Sequence, residues 1–225
     1  MLNWDKLPEE IKVDAVKPYY NCLKKRVLSC FLKRIFDIIA SFCLIVLLLP
    51  VMLFLAIWIK SDSSGPVLYK SERITRYGKP FTIFKFRTMI TDADKKGAHI
   101  TVSGDSRITR VGGKIRKIRL DELPQLFNVL LGQMSFVGTR PEVAKYVATY
   151  TDEMMATLLM PAGITSEASI AFRDEDELMS ELVSTGLSVD DAYQRVLQEK
   201  MKLNLNYIKN FSFIRDIKIC LKTLL

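Results

Sequence analysis

The chain has 225 residues, with 33 Lys and Arg against 25 Asp and Glu and a formal net charge of +8. That length accommodates one domain of moderate size plus a membrane element. A single histidine, His99, excludes a histidine-rich metal site or a Ser-His triad, and no helix-turn-helix, zinc spacing or aromatic RNA platform supports nucleic acid as the partner of the basic charge.

Residues 1–30 mix polar and apolar positions and end in Lys24-Lys-Arg26, which predicts a helical lead-in near a membrane surface or else a loose tail. From Ile38 to Ile59 the chain carries no charge over about twenty-two residues, enough helix to cross a hydrocarbon core of roughly 30 Å. The run lies too far from the start, and is too long, for a cleavable signal, so a retained anchor is expected. Pro50 sits near its middle and should kink or break the helix. Lys33 and Arg34 flank the run on one side and Lys60 on the other, whereas a simple span should be basic mainly on its inner side. A kinked span and a re-entrant hairpin both remain open. Basic charge beside an anchor suits an anionic inner leaflet. Cys22, Cys30, Cys43 and Cys220 show no paired spacing, as expected of reduced thiols in the cytosol.

Ser61-Asp-Ser-Ser-Gly-Pro66 reads as a linker. Val67-Leu-Tyr69 and Phe81-Thr-Ile-Phe-Lys-Phe86, separated by Tyr77-Gly-Lys-Pro80, predict a β-hairpin or two short strands. A loop is expected over 92–106 and helices over 107–119, 122–131 and 141–158. An acidic helix follows near 174–181, then another over 190–204. The segment 212–225 sets Ile214, Ile217 and Leu221 on one helical side with Arg215, Lys218 and Lys222 as its basic charge, fit to lie in a membrane interface or to pack on the domain.

The stretch from Arg119 to Pro141 carries the chemistry. Asp121 and Glu122 stand where an amphipathic helix should begin, with Leu123, Leu126, Phe127 and Leu130 at helical spacing and Pro124 in the first turn. An Asp there commonly serves as an N-cap. Two carboxylates near Arg116, Lys117, Arg119 and Arg140 also suit a site for metal and phosphate.

In order, the chain shows a basic flank, an apolar run with a central proline, and Gly65-Pro-Val-Leu-Tyr69. Lys85-Phe-Arg-Thr-Met89, Asp105-Ser-Arg-Ile-Thr-Arg-Val-Gly112 and Leu120-Asp-Glu-Leu-Pro-Gln-Leu126 follow. Gly132-Gln-Met-Ser-Phe-Val-Gly-Thr-Arg-Pro141, Gly163-Ile-Thr165 and Tyr207-Ile-Lys-Asn-Phe-Ser-Phe213 complete it. Over residues 31–225 this resembles the small monotopic phosphoglycosyl transferases, the bacterial sugar transferase family. Each motif is short, but their number in one order is specific.

The resemblance implies an α+β fold, mainly helical with a short β-hairpin. It implies membrane association through an N-terminal re-entrant helix-break-helix and interfacial amphipathic helices. The chain then divides into a lead-in over 1–30, the re-entrant element over 31–60 with its break at Pro50, and a cytosolic catalytic domain over 61–225. The implied site is the cytoplasmic face of the bacterial inner membrane. The implied reaction moves a sugar-1-phosphate from a UDP-sugar to polyprenol (undecaprenyl) phosphate, releases UMP and starts a surface glycan or glycoprotein pathway. Asp121 would be the nucleophile that forms a covalent phosphosugar, with Glu122 its partner. Lys85, Arg87 and Arg116 would gather around the phosphates, and Arg140 and Pro141 would meet the nucleotide. Inner-membrane lipids and downstream glycosyltransferases are the implied partners, with no oligomeric state indicated.

The residue chemistry agrees. A carboxylate can attack phosphorus and split one hard transfer into two steps. Attack on an anionic diphosphate needs charge neutralisation by basic groups and Mg2+, which Asp121 and Glu122 can hold together with the substrate phosphates.

Three positions depart from the family pattern: Leu49 replaces a Ser before the membrane proline, Thr139 replaces the first Pro of Pro-Arg-Pro, and Pro161-Ala-Gly-Ile-Thr-Ser166 lacks an Arg. The extra N-terminal membrane helices of longer relatives are expected to be absent. An inactive membrane-anchored scaffold and a UDP-sugar phosphohydrolase remain as alternatives.

Overall fold

The computed structural model describes residues 1–91, 93 and 105–224. Most of the loop expected over 92–106, His99 included, lies outside the described residues.

Two 3-10 turns, Trp4–Lys6 and Asp14–Val16, lead into α1 (Lys17–Lys24). This segment is stitched into the main core: Leu7, Ile11, Val16, Tyr20 and Leu23 are buried with Leu158, Leu159, Tyr207, Ile208 and Phe211.

Helix α2 (Val27–Asp62) contains the apolar run and continues through Pro50 without losing its helical backbone. A proline can bend a helix while the turns on either side persist. Most of α2 is bare, with Leu28, Leu47, Phe54 and Ile57 among its exposed side chains. Its first turns are nevertheless fastened to the domain. Lys33 Nζ donates to Val137 O at 2.6 Å and pairs with Asp216 at 2.7 Å. Arg34 donates to Val129 O at 2.7 Å and Leu130 O at 2.8 Å, and Asp37 Oδ1 accepts from Ser135 Oγ and the Phe136 amide. Its far end is fastened as well. Met52, Leu55 and Ile59 pack on Phe86, Val111 and Ile115, and Asp62 accepts from the Val111 amide at 2.9 Å.

The expected hairpin forms. Strands β1 (Leu68–Ile74) and β2 (Pro80–Phe86) pair antiparallel, with Tyr69 opposite Lys85 and Arg73 opposite Phe81. Residues directly opposite share a face, so Arg73, Ile83 and Lys85 point the same way. Helix α3 (Arg110–Lys117) is capped by Thr109, whose hydroxyl accepts from the Gly112 amide, and α4 (Gln125–Leu130) lies against the hairpin.

The second sheet was not expected from sequence. Strands β3 (Met134–Val137) and β4 (Ala162–Thr165) form a parallel pair of four residues each. Both are almost wholly buried, so neither shows the alternation that marks a half-exposed strand. The two cross closely: a Cβ on Gly163 would meet Gly138 N at 2.1 Å.

The helix expected over 141–158 is corrected to α5 (Ala144–Val147) and a 3-10 turn at Met154–Leu159. Between them the Thr149 hydroxyl bonds the Tyr146 carbonyl and the Thr151 hydroxyl accepts from the Met154 amide, local bonds that compete with helix. The chain finishes with α6 (Glu167–Ala171), α7 (Glu175–Ser184), α8 (Val189–Lys209) and α9 (Phe213–Leu224). Helices α7 and α8 enclose a second core of Met179, Ala192, Val196, Leu197 and Met201 with Tyr146 and Tyr193. Helix α9 buries Asp216 and Ile219, so Ile214 and Leu221 of the expected apolar side face outward.

Candidate active site

Three segments meet around the paired carboxylates. Strand β2 supplies Lys85 near its end. A 3-10 turn, Leu120–Glu122, joins α3 to α4 and carries Asp121 and Glu122. The loop after β3 supplies Arg140 and Pro141. Arg119 precedes the turn in a left-handed conformation, φ 55° and ψ 22°, a geometry that costs a non-glycine residue about 1–2 kcal/mol. That reversal sends Asp121 inward, where only 8 % of it is exposed.

Asn128 sets the spacing between these segments. It is fully buried on α4, accepts from the Phe84 amide at 3.0 Å, and donates to Thr82 O and Gln133 Oε1 at 2.7 Å each. Helix α4 is thereby fixed to the strand edge one residue before Lys85. Arg34 closes the other end of α4 by bonding carbonyls of its last turns. The buried side of α4 is Gln125, Leu126, Asn128 and Val129, while Phe127, expected inside, is partly exposed. Six helical residues leave room for little more than one turn and a half, and Asn128 decides which side faces in.

The two carboxylates differ. Lys85 Nζ lies 2.7 Å from Glu122 Oε1, and Arg140 Nη2 lies 3.5 Å from the same oxygen. Burial disfavours the charge on Glu122, but Lys85 and then Arg140 outweigh it and hold this carboxyl down at about 2. Asp121 moves the other way. Burial is the largest effect, Lys85 opposes it, and Glu122 adds repulsion, so Asp121 is pushed up to about 6. Burial lowers the Lys85 ammonium against the pull of Glu122, and Glu122 raises the Arg140 guanidinium above its ordinary value. One carboxylate is a fixed counter-ion, and the other changes charge close to neutrality.

A small open cleft of about 40 Å³ lies beside the two cations that hold Glu122, lined by Arg73, Lys85, Gln125, Arg140, Pro141 and Gly163. Lys85, Arg140 and Pro141 therefore share one wall system. Arg116 and Arg87 lie elsewhere. Arg116 Nη2 is 3.3 Å from Asp176 on α7, and its charge reaches Asp121 at longer range. Arg87 is buried, with Nη2 donating to Ser63 O at 2.7 Å and Ser63 Oγ at 2.9 Å, and Nη1 bonded to Ser64 O. Its guanidinium holds the end of α2, and its Nε is buried without a partner. Pro50 is remote from this cleft in sequence and sits on the exposed middle of α2. Among the described residues no group of three or more His, Cys, Asp or Glu is poised to hold a metal. Asp121 and Glu122 are the carboxylates at hand, a set that fits a cation completing its shell with substrate phosphates and water.

A family model for bacterial sugar transferases matches residues 28–225. The chain belongs to that family. It is 38 % identical over 197 residues to the UDP-N-acetylgalactosamine-undecaprenyl-phosphate N-acetylgalactosaminephosphotransferase of Aeromonas hydrophila, covering 86 % of this chain and 43 % of that protein. It is 40 % identical over 199 residues to the undecaprenyl-phosphate glucose phosphotransferase of Komagataeibacter xylinus, covering 85 % of this chain and 35 % of that one. An uncharacterized sugar transferase of Bacillus subtilis is 35 % identical, with 84 % of this chain and 83 % of that protein aligned. The chain thus spans less than half the length of the first two relatives.

For this bacterial sugar transferase, reading the sequence missed Asn128, Gln125 and Arg73. Asn128 and Gln125 carried a signal, because each is polar within a run that otherwise reads Leu-Pro-x-Leu-Phe-x-Val-Leu. Arg73 carried none, since only strand pairing brings it to the face of Lys85.

Proposed function

We propose that this protein transfers a sugar-1-phosphate from a UDP-sugar to polyprenol (undecaprenyl) phosphate, releases UMP, and so begins a bacterial surface glycan. The observation that carries the reading is the divided pair: Glu122 held as a counter-ion by Lys85 and Arg140, with Asp121 buried beside it.

Asp121 attacks the sugar-bearing phosphorus. A P–O bond forms to its carboxylate while the P–O bond to the uridylyl phosphate breaks, and UMP leaves with that electron pair. An oxygen of polyprenol phosphate then attacks the same phosphorus and Asp121 departs as a carboxylate. Both attacking groups are anions, so neither step needs a base. Both need cations, and Lys85 and Arg140 supply two against the carboxylate of Glu122. Asp121 and Glu122 would hold Mg2+, which supplies further neutralisation of the phosphate oxygens. Arg140 and Pro141 would face the nucleotide. Arg116 would reach the phosphates on release from Asp176.

The acceptor's chemistry calls for a membrane, and the bare apolar surface of α2 supports one. A helix crossing the bilayer would carry its two ends to opposite faces, yet both ends of α2 pack on one domain. That favours re-entry from the cytoplasmic side with the bend at Pro50. Ile118, Leu131, Ile214 and Leu221 are exposed on segments beside α2 and would rest in the same interface.

Intact mass spectrometry tests the reaction. Incubation with a panel of UDP-sugars should add a phosphosugar mass to the wild type and none to Asp121→Asn. An adduct that persists in Asp121→Asn removes Asp121 as the nucleophile. Release of free sugar phosphate at equal rates with and without polyprenol phosphate would instead favour a phosphohydrolase.

A further inference from the structure

Gln125 is 2 % exposed, makes no hydrogen bond through its amide among the described residues, and lines the open cleft. Arg87 Nε is the one sealed, unpartnered side-chain polar atom among the described residues, so the Gln125 amide reaches the cleft, where water or a ligand can satisfy it. Every other nearby polar side chain of α4 is committed: Asn128 uses its amide on Thr82, Phe84 and Gln133. Gln125 thus has a side-chain amide free to meet a ligand in the cleft.

Arg73 lines the same cleft from the shared face of the hairpin, and it makes no ion pair among the described residues. Three cationic side chains, Arg73, Lys85 and Arg140, line the cleft, and no carboxylate is in its lining. Such a cleft, with the Gln125 amide beside the cations, is complementary to an anion rich in acceptor oxygens.

We propose that Gln125 and Arg73 form, with Lys85, the seat of the transferring phosphate, the β-phosphate of the nucleotide diphosphate. The Gln125 amide NH2 donates to a non-bridging oxygen, and Arg73 takes the charge displaced from the uridylyl side. This assignment rests on the proposed transfer reaction and adds two substrate-binding residues to it. The donor role distinguishes a phosphate from a sugar hydroxyl. A phosphate oxygen only accepts, so it requires the amide and rejects a carboxylate; a hydroxyl could donate to either.

Titration calorimetry of the purified full chain with UDP and with UMP reads the seat directly, because the two ligands differ by the β-phosphate. The wild type should bind UDP more tightly than UMP. Gln125→Glu should weaken UDP binding roughly tenfold or more, with UMP changed less than about twofold. Gln125→Ala and Arg73→Ala should show smaller losses of the same kind, and Arg73→Lys should recover part. These variants also carry the test if Gln125→Glu does not fold, with thermal unfolding as the control. An unchanged ratio of UDP to UMP affinity in the variants overturns the seat. Should the wild type bind neither nucleotide, the transfer reading fails by itself, and inorganic pyrophosphate decides the seat. Pyrophosphate binding lost in the Gln125 and Arg73 variants upholds it, and pyrophosphate binding unaffected by them, or absent, overturns it.

Discussion

Lys85 Nζ stands 2.7 Å from Glu122 Oε1, and this contact separates two adjacent carboxylates into different roles. Glu122 absorbs the cationic field of the cleft and stays ionised. Asp121, one residue away and 8 % exposed, is governed by burial, which Lys85 offsets only in part and the repulsion of Glu122 reinforces. The nucleophile proposed for the transfer needs a charge that is available but poorly solvated, and the pair meets both conditions.

Removing the proposed nucleophile should cost activity and improve stability. Asp121→Asn is expected to lower UMP release by about a thousandfold or more, as loss of a covalent nucleophile does. The carboxyl lies near 6 rather than 3.8 in the fold, so its ionised form costs roughly 2–3 kcal/mol above that range. The variant should therefore melt several degrees higher than wild type at pH 8 in a chelator. Equal or lower melting would show that Asp121 is not strained by its burial.

The same shift sets the pH profile. Asp121 binds its proton below about 6 and then cannot attack, so adduct formation should fall about tenfold per unit below that value. Glu122, near 2, contributes no limb in this window. For stability the signs oppose. A raised carboxyl removes stability as pH climbs from its unfolded value to about 6, whereas Glu122 loses its contribution only as pH falls from 4.5 toward 2. Single-turnover adduct formation from pH 4.5 to 8 checks the first statement, and melting from about pH 2.5 to 8 in a chelator checks the second.

Glu122→Gln should hurt binding as well as folding. It leaves Lys85 and Arg140 facing a neutral amide in a partly buried site, a loss of about 2 kcal/mol. UDP-sugar KM and the unfolding midpoint should both worsen, in contrast to Asp121→Asn.

Arg87 predicts differently from the other basic residues. Its guanidinium bonds Ser63 and Ser64, so Arg87→Ala should destabilise the protein by about 2–3 kcal/mol while UDP-sugar KM in the folded fraction changes little. Gly65→Ala should act in the same direction, because φ is +117° and a Cβ would meet Arg87 Nη1 at 2.1 Å. A large rise in KM with normal melting would instead return Arg87 to the phosphates.

The root of α2 can be tested by a double-mutant cycle. Lys33→Met strands Asp216 in the core and should cost about 3–5 kcal/mol. Asp216→Leu in the same chain should recover a substantial part, measured by thermal unfolding in detergent. Simple additivity of the two losses would show that the pair is not coupled.

Legibility followed the range of each physical signal. The hairpin was readable because β-formers flank a Gly-containing turn, and Asp121 with Glu122 stood out beside an apolar run. Their union with Lys85 and Arg140 came from the family resemblance rather than from any periodicity. The β3–β4 pair was invisible because buried parallel strands of four residues lack alternation. Arg87 stands two residues from Lys85 and would share its face in a continuing strand, but β2 ends at Phe86 and Arg87 turns to Ser63 and Ser64 at the end of α2 instead of the cleft. Gln125 and Arg73 acquired meaning only from partners they lack.

The two anchor points of α2 carry a mechanical consequence. A catalytic head on a flexible tether samples many heights above a bilayer. Here Lys33, Arg34 and Asp37 grip at one end and Ile59 and Asp62 at the other, so helix and head tilt as one lever. In the proposed membrane seating, the depth of Asp121 would then be a fixed offset from the lipid surface.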